Sequence, residues 1–138
     1  TKENREDLFW LIDPLDGTKE FINRNGEFTI NVALIEHGKP ILGVVSAPAI
    51  HETFLGFAGQ AFKILGKEKI EITSQKQSEE FCLVTVSKSH KSEKDQAFIN
   101  LCKKEFSEVK ELPTGSSLKL CRVAEGKANI YSSLVCRK

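Results

Sequence analysis

Asp13 and Asp16, in Trp10-Leu-Ile-Asp-Pro-Leu-Asp-Gly-Thr18, are the side chains best placed by type and spacing to do chemistry. Carboxylates this close repel each other unless a cation lies between them. A hard divalent ion such as Mg²⁺ takes oxygen ligands and keeps several waters. The two side chains, with the Leu15 carbonyl, therefore suit one or two such ions. Gly17 lets the backbone turn tightly, and Thr18 opens a short helix whose free N–H groups suit a phosphate. Adjacent metal and phosphate sites are what metal-assisted phosphate hydrolysis requires. Asp-Pro and Asp-Gly are also ordinary turn formers, so a plain turn competes for the same residues. A covalent aspartyl mechanism of the Asp-x-Asp type fails by one residue, because the second position after Asp13 is Leu15. That spacing favours metal ligands over a nucleophile.

A second polar group comes late in the chain. Lys119 falls one turn after Ser116, near an expected helix start, which suits an anion. Taken alone, Ser116 reads equally well as a helix cap and Lys119 as a solvated cation. His90 lies in a polar loop, and His37 and His51 read as surface residues.

Strands and turns must position these groups. The run Phe9-Trp10-Leu11-Ile12, ended by Asp13-Pro14, reads as a buried strand that delivers Asp13 to its C-terminal end. Residues 19–25 predict a short helix closed by Gly26. Residues 28–34, 41–47, 53–57, 61–65 and 70–72 predict strands joined by tight turns at 36–39 and Gly59, hence an antiparallel sheet. The second half alternates: strand 81–86, helix 92–106, strand 109–112 ended by Pro113, helix 116–125 stopped by Gly126, and strand 128–131. The apolar positions of the longer helix are Ala97, Phe98, Leu101, Cys102 and Phe106. Strands first, then alternating helices and strands, predict an α+β layered fold rather than a doubly wound sheet. Several meander strands are apolar on both faces and need partners beyond this chain.

The chain has 138 residues, 20 Lys plus Arg against 19 Asp plus Glu, and a net charge of +1. That balance argues against a nucleic-acid polymer as partner. Its 40% hydrophobic and 28% charged residues exclude collagen and low-complexity disorder. The longest nearly apolar stretch, residues 41–50, is roughly half a membrane span, so no transmembrane segment is expected. From the polar start no signal peptide is expected. Cys82, Cys102, Cys121 and Cys136 form no C-x-x-C pair and read as free thiols of a reducing cytoplasm, with Cys82 and Cys121 in the core. The chain starts at Thr1 and has no methionine, which predicts a processed product or an internal piece of a longer protein.

The segment Trp10-Leu-Ile-Asp-Pro-Leu-Asp-Gly-Thr-Lys-Glu-Phe-Ile-Asn-Arg-Asn-Gly-Glu-Phe-Thr-Ile-Asn31 resembles the signature of the inositol monophosphatase superfamily. Lys19-Glu20-Phe21 and Arg24-Asn25-Gly26-Glu27-Phe28 make it similar, more narrowly, to the 3′(2′),5′-bisphosphate nucleotidase branch. The similarity continues through Gly38-Lys39-Pro40-Ile41-Leu42-Gly43-Val44-Val45, Val86-Ser87-Lys88-Ser89-His90 and Gly115-Ser116-Ser117-Leu118-Lys119, to about Tyr131. The resemblance implies an αβαβα sandwich, incomplete here. Residues 1–80 would be the latter part of a metal-binding sheet region, and 81–138 the first part of a substrate-binding α/β region.

It also implies an Mg²⁺-dependent phosphatase, inhibited by lithium, that converts 3′-phosphoadenosine 5′-phosphate to AMP and phosphate. The alternatives are an inositol or sugar phosphate phosphatase of the same superfamily, or a non-catalytic fragment that binds metal or nucleotide. In the implied roles, Asp13 bridges two Mg²⁺ ions, the Leu15 carbonyl completes one coordination sphere and Asp16 binds the second ion. Gly17 and Thr18 hold the scissile phosphate, with the Thr18 hydroxyl near the attacking water. His90, Ser116 and Lys119 contact the nucleoside or its other phosphate. The family's upstream Glu-Glu pair has no counterpart, since Glu3 and Glu6 are too close to Asp13. Its later Trp-Asp pair is replaced by a tail ending Cys136-Arg-Lys138, and Ser133 stands where the family places an arginine. The expected partners are a small nucleotide and, through exposed sheet, a second copy. The expected location is the cytoplasm, with peripheral attachment to the inner membrane as the alternative.

Overall fold

The computed structural model describes residues 7–74, 80–89 and 93–131. The chain divides into two units, Thr1–Glu71 and Ile72–Lys138.

The first unit is a six-stranded antiparallel meander in sequential order, β1 (Leu8–Asp16), β2 (Thr29–Glu36), β3 (Lys39–Ala47), β4 (Glu52–Phe57), β5 (Gln60–Leu65) and β6 (Glu68–Glu71). The tight turns fall where glycines adopt positive φ, at Gly38 (76°) and Gly59 (77°). One helix, α1 (Thr18–Ile22), interrupts the meander between β1 and β2. It is shorter than the sequence predicts: after the cap at Asn23, Arg24 takes φ 53° and Gly26 φ 82°, which end the helical path early. Buried within the sheet, Lys63 on β5 pairs with Glu52 on β4 at 2.9 Å, and its ammonium lies 5.2 Å from the Phe54 ring centroid. The ion pair lets a charge stay where bare burial would be costly.

The expectation of a buried first strand is corrected. β1 forms, but Trp10, Leu11 and Ile12 are 57%, 60% and 59% exposed. Successive strand residues face opposite sides, so both faces of β1 are open. The reason is position: within its unit β1 is the edge strand, paired to β2 alone.

The second unit is a three-stranded parallel sheet in the order β8-β7-β9, from β7 (Phe81–Ser87), β8 (Glu108–Thr114) and β9 (Ile130–Tyr131). Helix α2 (Glu93–Glu105) makes the crossover from β7 to β8, and α3 (Leu118–Ala124) links β8 to β9. Parallel neighbours need such crossovers. The core is Cys82, Val84, Val86, Ile99 and Cys102, with Phe98, Phe106, Val109 and Ile130 packed against it. Two sequence readings change here. Ile99 is fully buried while Leu101 is 58% exposed, so the inward face of α2 is Phe98, Ile99 and Cys102, with Phe106 just after the helix packed on the same core. Pro113 does not end its strand but pairs within it, opposite Val86. An edge strand tolerates a proline, whose missing N–H costs no ladder bond on the open side.

β9 has only two residues, and Asn129 secures it. The Asn129 backbone N–H donates to the Leu83 carbonyl at 2.8 Å, and its side-chain oxygen accepts from the Leu83 N–H at 2.8 Å. The side chain thus extends the β7 pairing one residue upstream of the strand.

Candidate active site

Asp13 and Asp16 flank a β-bulge. Asp13 pairs with Asn31 and Asp16 with Thr29, so Pro14 and Leu15 together oppose the single residue Ile30. In a regular strand, residues three apart lie on opposite faces. The extra residue restores parity: Asn31 and Thr29, two apart, share a face, and their registered partners share it with them. The bulge therefore brings both carboxylates to one side of the sheet. It also suits Pro14, which has no N–H to give to a ladder. The Leu15 N–H, displaced from the ladder, donates to Asp13 Oδ1 at 3.2 Å. Asp13 is exposed, Asp16 half-buried, and Thr29, the registered partner of Asp16, fully buried.

Gly17 follows with φ 83°, ψ 49°, the left-handed conformation that glycine adopts without a side-chain clash. It turns the chain from β1 into α1, and its carbonyl accepts the Phe21 N–H at 3.0 Å. Thr18, exposed, is the first helical residue. Asp13, Leu15, Asp16, Gly17 and Thr18 are thus gathered within one bulge and the turn after it. Glu20, missed as a structural residue in the sequence, is 6% exposed on this small helix.

The donors fit Mg²⁺ in kind: two carboxylates and a backbone carbonyl are hard oxygen ligands. No group of three or more His, Cys, Asp or Glu side chains converges anywhere among the described residues. Asp13 and Asp16 are thus a pair that leaves further positions to water or to other ligands.

In the second unit, Ser116 and Lys119 come together where β8 leads into α3. Ser116 is buried (8% exposed) and sits at φ 47°, unusual for a residue with a Cβ. Its hydroxyl accepts the Leu118 N–H at 3.4 Å, the capping role expected of it, although Ser117 holds the formal cap position. The Lys119 ammonium donates to the carbonyls of Ser116 (2.7 Å) and Thr114 (3.5 Å). Sequence reasoning missed Thr114 and Tyr131 around this lysine; the Tyr131 ring centroid is 5.9 Å from Nζ. Neither residue has a local pattern that announces it. His90 and Cys136 lie outside the described residues.

Cys82, Cys102 and Cys121 are buried free thiols. Burial pushes the Cys82 thiol up to about 11, helped by the neighbouring Cys102, and raises that of Cys102 as well. Both thiols are thereby kept protonated and unreactive.

The family model for the inositol monophosphatase family matches residues 1–138. Among curated proteins, the chain is 46% identical over 125 residues to the 3′(2′),5′-bisphosphate nucleotidase CysQ of Escherichia coli K12, covering 89% of this chain and 48% of that protein. It is 43% identical over 126 residues to the protein of the same name from Buchnera aphidicola, covering 89% and 44%. Among solved structures, CysQ from Bacteroides thetaiotaomicron superposes with a TM-score of 0.84 at 32% identity, covering 97% of this chain and 58% of that one. The IMPase of Thermotoga maritima gives a TM-score of 0.73 at 28% identity, covering 93% and 48%. The chain spans about half the length of the curated relatives it matches.

Proposed function

The chain belongs to the inositol monophosphatase family, and from that premise we propose that it is the central portion of an Mg²⁺-dependent 3′(2′),5′-bisphosphate nucleotidase. The observation that carries this reading is the bulge that places Asp13 and Asp16 on one face directly before Gly17 and Thr18. The names of the relatives that are 43–46% identical support the nucleotide as substrate over an inositol or sugar phosphate.

In this reading Asp13, Asp16 and the Leu15 carbonyl hold the metal. A divalent ion held by these residues would supply Lewis acidity to the phosphoryl group. Gly17 and Thr18 orient the scissile phosphate, and the Thr18 hydroxyl hydrogen-bonds the attacking water. Ser116, Lys119 and His90 bind the remaining phosphate or the nucleoside. The substrate is 3′-phosphoadenosine 5′-phosphate and the products are AMP and phosphate. The free thiols among the described cysteines suit a reducing compartment, and we place the protein in the cytoplasm. No helix among the described residues is long and apolar enough to cross a membrane.

A chimera tests the reading. Residues 7–131 replace the matching stretch of the E. coli relative, and phosphate release is followed with Mg²⁺ titrated. The expected result is Mg²⁺-dependent hydrolysis of 3′-phosphoadenosine 5′-phosphate well ahead of inositol 1-phosphate, abolished by Asp16→Asn. A folded chimera that prefers inositol phosphate would transfer the site to the sugar-phosphate reading.

A further inference from the structure

We propose that Tyr131 is the positioning residue for Lys119, holding its ammonium at the carboxyl edge of the parallel sheet where the nucleotide's non-scissile phosphate is bound. The inference rests on the reading of Lys119 as a nucleotide contact and adds a residue to which no role is otherwise assigned.

β7, β8 and β9 run parallel, so their C-terminal residues Ser87, Thr114 and Tyr131 emerge at the same edge. In sheets of this kind ligands collect beyond the carboxyl ends of the strands. Lys119 is held there by contacts that include the Ser116 carbonyl at 2.7 Å, the Thr114 carbonyl at 3.5 Å and the Tyr131 ring at 5.9 Å. The last distance is within the range over which an aromatic face attracts an ammonium. A free lysine side chain samples many rotamers, and fixing them in advance lowers what binding must overcome.

Tyr131 is itself held firmly. It pairs with Thr85, whose hydroxyl donates to the Ile130 carbonyl at 3.4 Å, and the two Asn129–Leu83 hydrogen bonds fix the residues just before it. Ser116, whose carbonyl accepts from the ammonium at 2.7 Å, is held in a left-handed conformation. Backbone strain of that kind gathers where a fold positions a ligand.

The test uses NMR on the 138-residue chain, in which Tyr131 is the single tyrosine, so its ring signals are unambiguous. Wild type, Tyr131→Phe, Tyr131→Leu and Lys119→Ala are each titrated with adenosine 3′,5′-bisphosphate and with inositol 1-phosphate. The Lys119 ε-methylene protons should be shielded by the ring in wild type and Tyr131→Phe, and lose that shielding in Tyr131→Leu. The bisphosphate Kd should rise roughly 2- to 30-fold in Tyr131→Leu, stay within about twofold in Tyr131→Phe, and leave inositol phosphate binding unchanged. Unaltered Lys119 shifts in Tyr131→Leu overturn the proposal. So does an equal loss of affinity in the Phe and Leu variants, which would assign the effect to the hydroxyl. If Lys119→Ala binds the bisphosphate as well as wild type while the ring still shields Lys119 in the parent chain, the nucleotide reading fails and the positioning role fails with it.

Discussion

A carboxylate pair becomes a metal site only when both groups face one way, and at Asp13 and Asp16 a single extra residue decides that. The motif was legible as chemistry in the sequence, but the bulge was not: two residues opposing one is a property of the register with β2, and β2 lies more than ten residues away. At this scale Asp16→Asn is the sharpest change. It keeps size and hydrogen-bonding capacity but removes one charge from the pair, so the chimera should retain its fold by circular dichroism while Mg²⁺ affinity and nearly all turnover are lost. Cys82 gives a second expectation. Its thiol is pushed up to about 11 in the folded chain, above the ordinary thiol range. Above pH 9 the unfolded chain releases this proton first, so stability is full below that pH and falls as pH rises toward 11. The slope is about 1.4 kcal/mol per pH unit for one proton. Urea unfolding between pH 8 and 11 should show this loss, and Cys82→Ala should reduce it to the part that the likewise raised Cys102 thiol contributes.

Among the elements, local signals served well where side chains alternate or turns need glycine, which covers the six-strand meander. They failed where packing chooses the face. In α2, Leu101 and Ile99 are similarly apolar, and only the docking against β7 makes Ile99 the core residue. Ile99→Ala should therefore cost about 2–5 kcal/mol of unfolding free energy, and Leu101→Ala at most about 0.5. Chemical denaturation of the two variants separates them; equal effects would mean the helix docks by another face. The two-residue strand β9 depends likewise on one side chain. Asn129→Ala leaves the Leu83 N–H without its acceptor, which should cost about 1–3 kcal/mol. Hydrogen exchange at the Leu83 amide should rise accordingly.

At the scale of the whole molecule, the exposed strand β1 is the leading fact. Trp10, Leu11 and Ile12 each keep more than half their surface open, on both faces of an edge strand with one neighbour in its sheet. A surface of that kind associates with whatever apolar partner it meets. The 138-residue chain should self-associate in a concentration-dependent way in sedimentation velocity runs, and Leu11→Lys with Ile12→Lys should shift it toward monomer. The single tryptophan, Trp10, should report the same event as a blue shift of its emission. The sequence already carried the warning in strands apolar on both faces, but which strand stays open follows from sheet order.

An Mg²⁺ titration of the 138-residue chain, followed by backbone amide shifts, tests directly whether the bulge holds the metal. Saturable shifts should be confined to Asp13, Leu15, Asp16, Gly17 and Thr18, and should be lost in Asp16→Asn. Saturable binding elsewhere, or shifts at the bulge that persist unchanged in Asp16→Asn, would contradict that assignment.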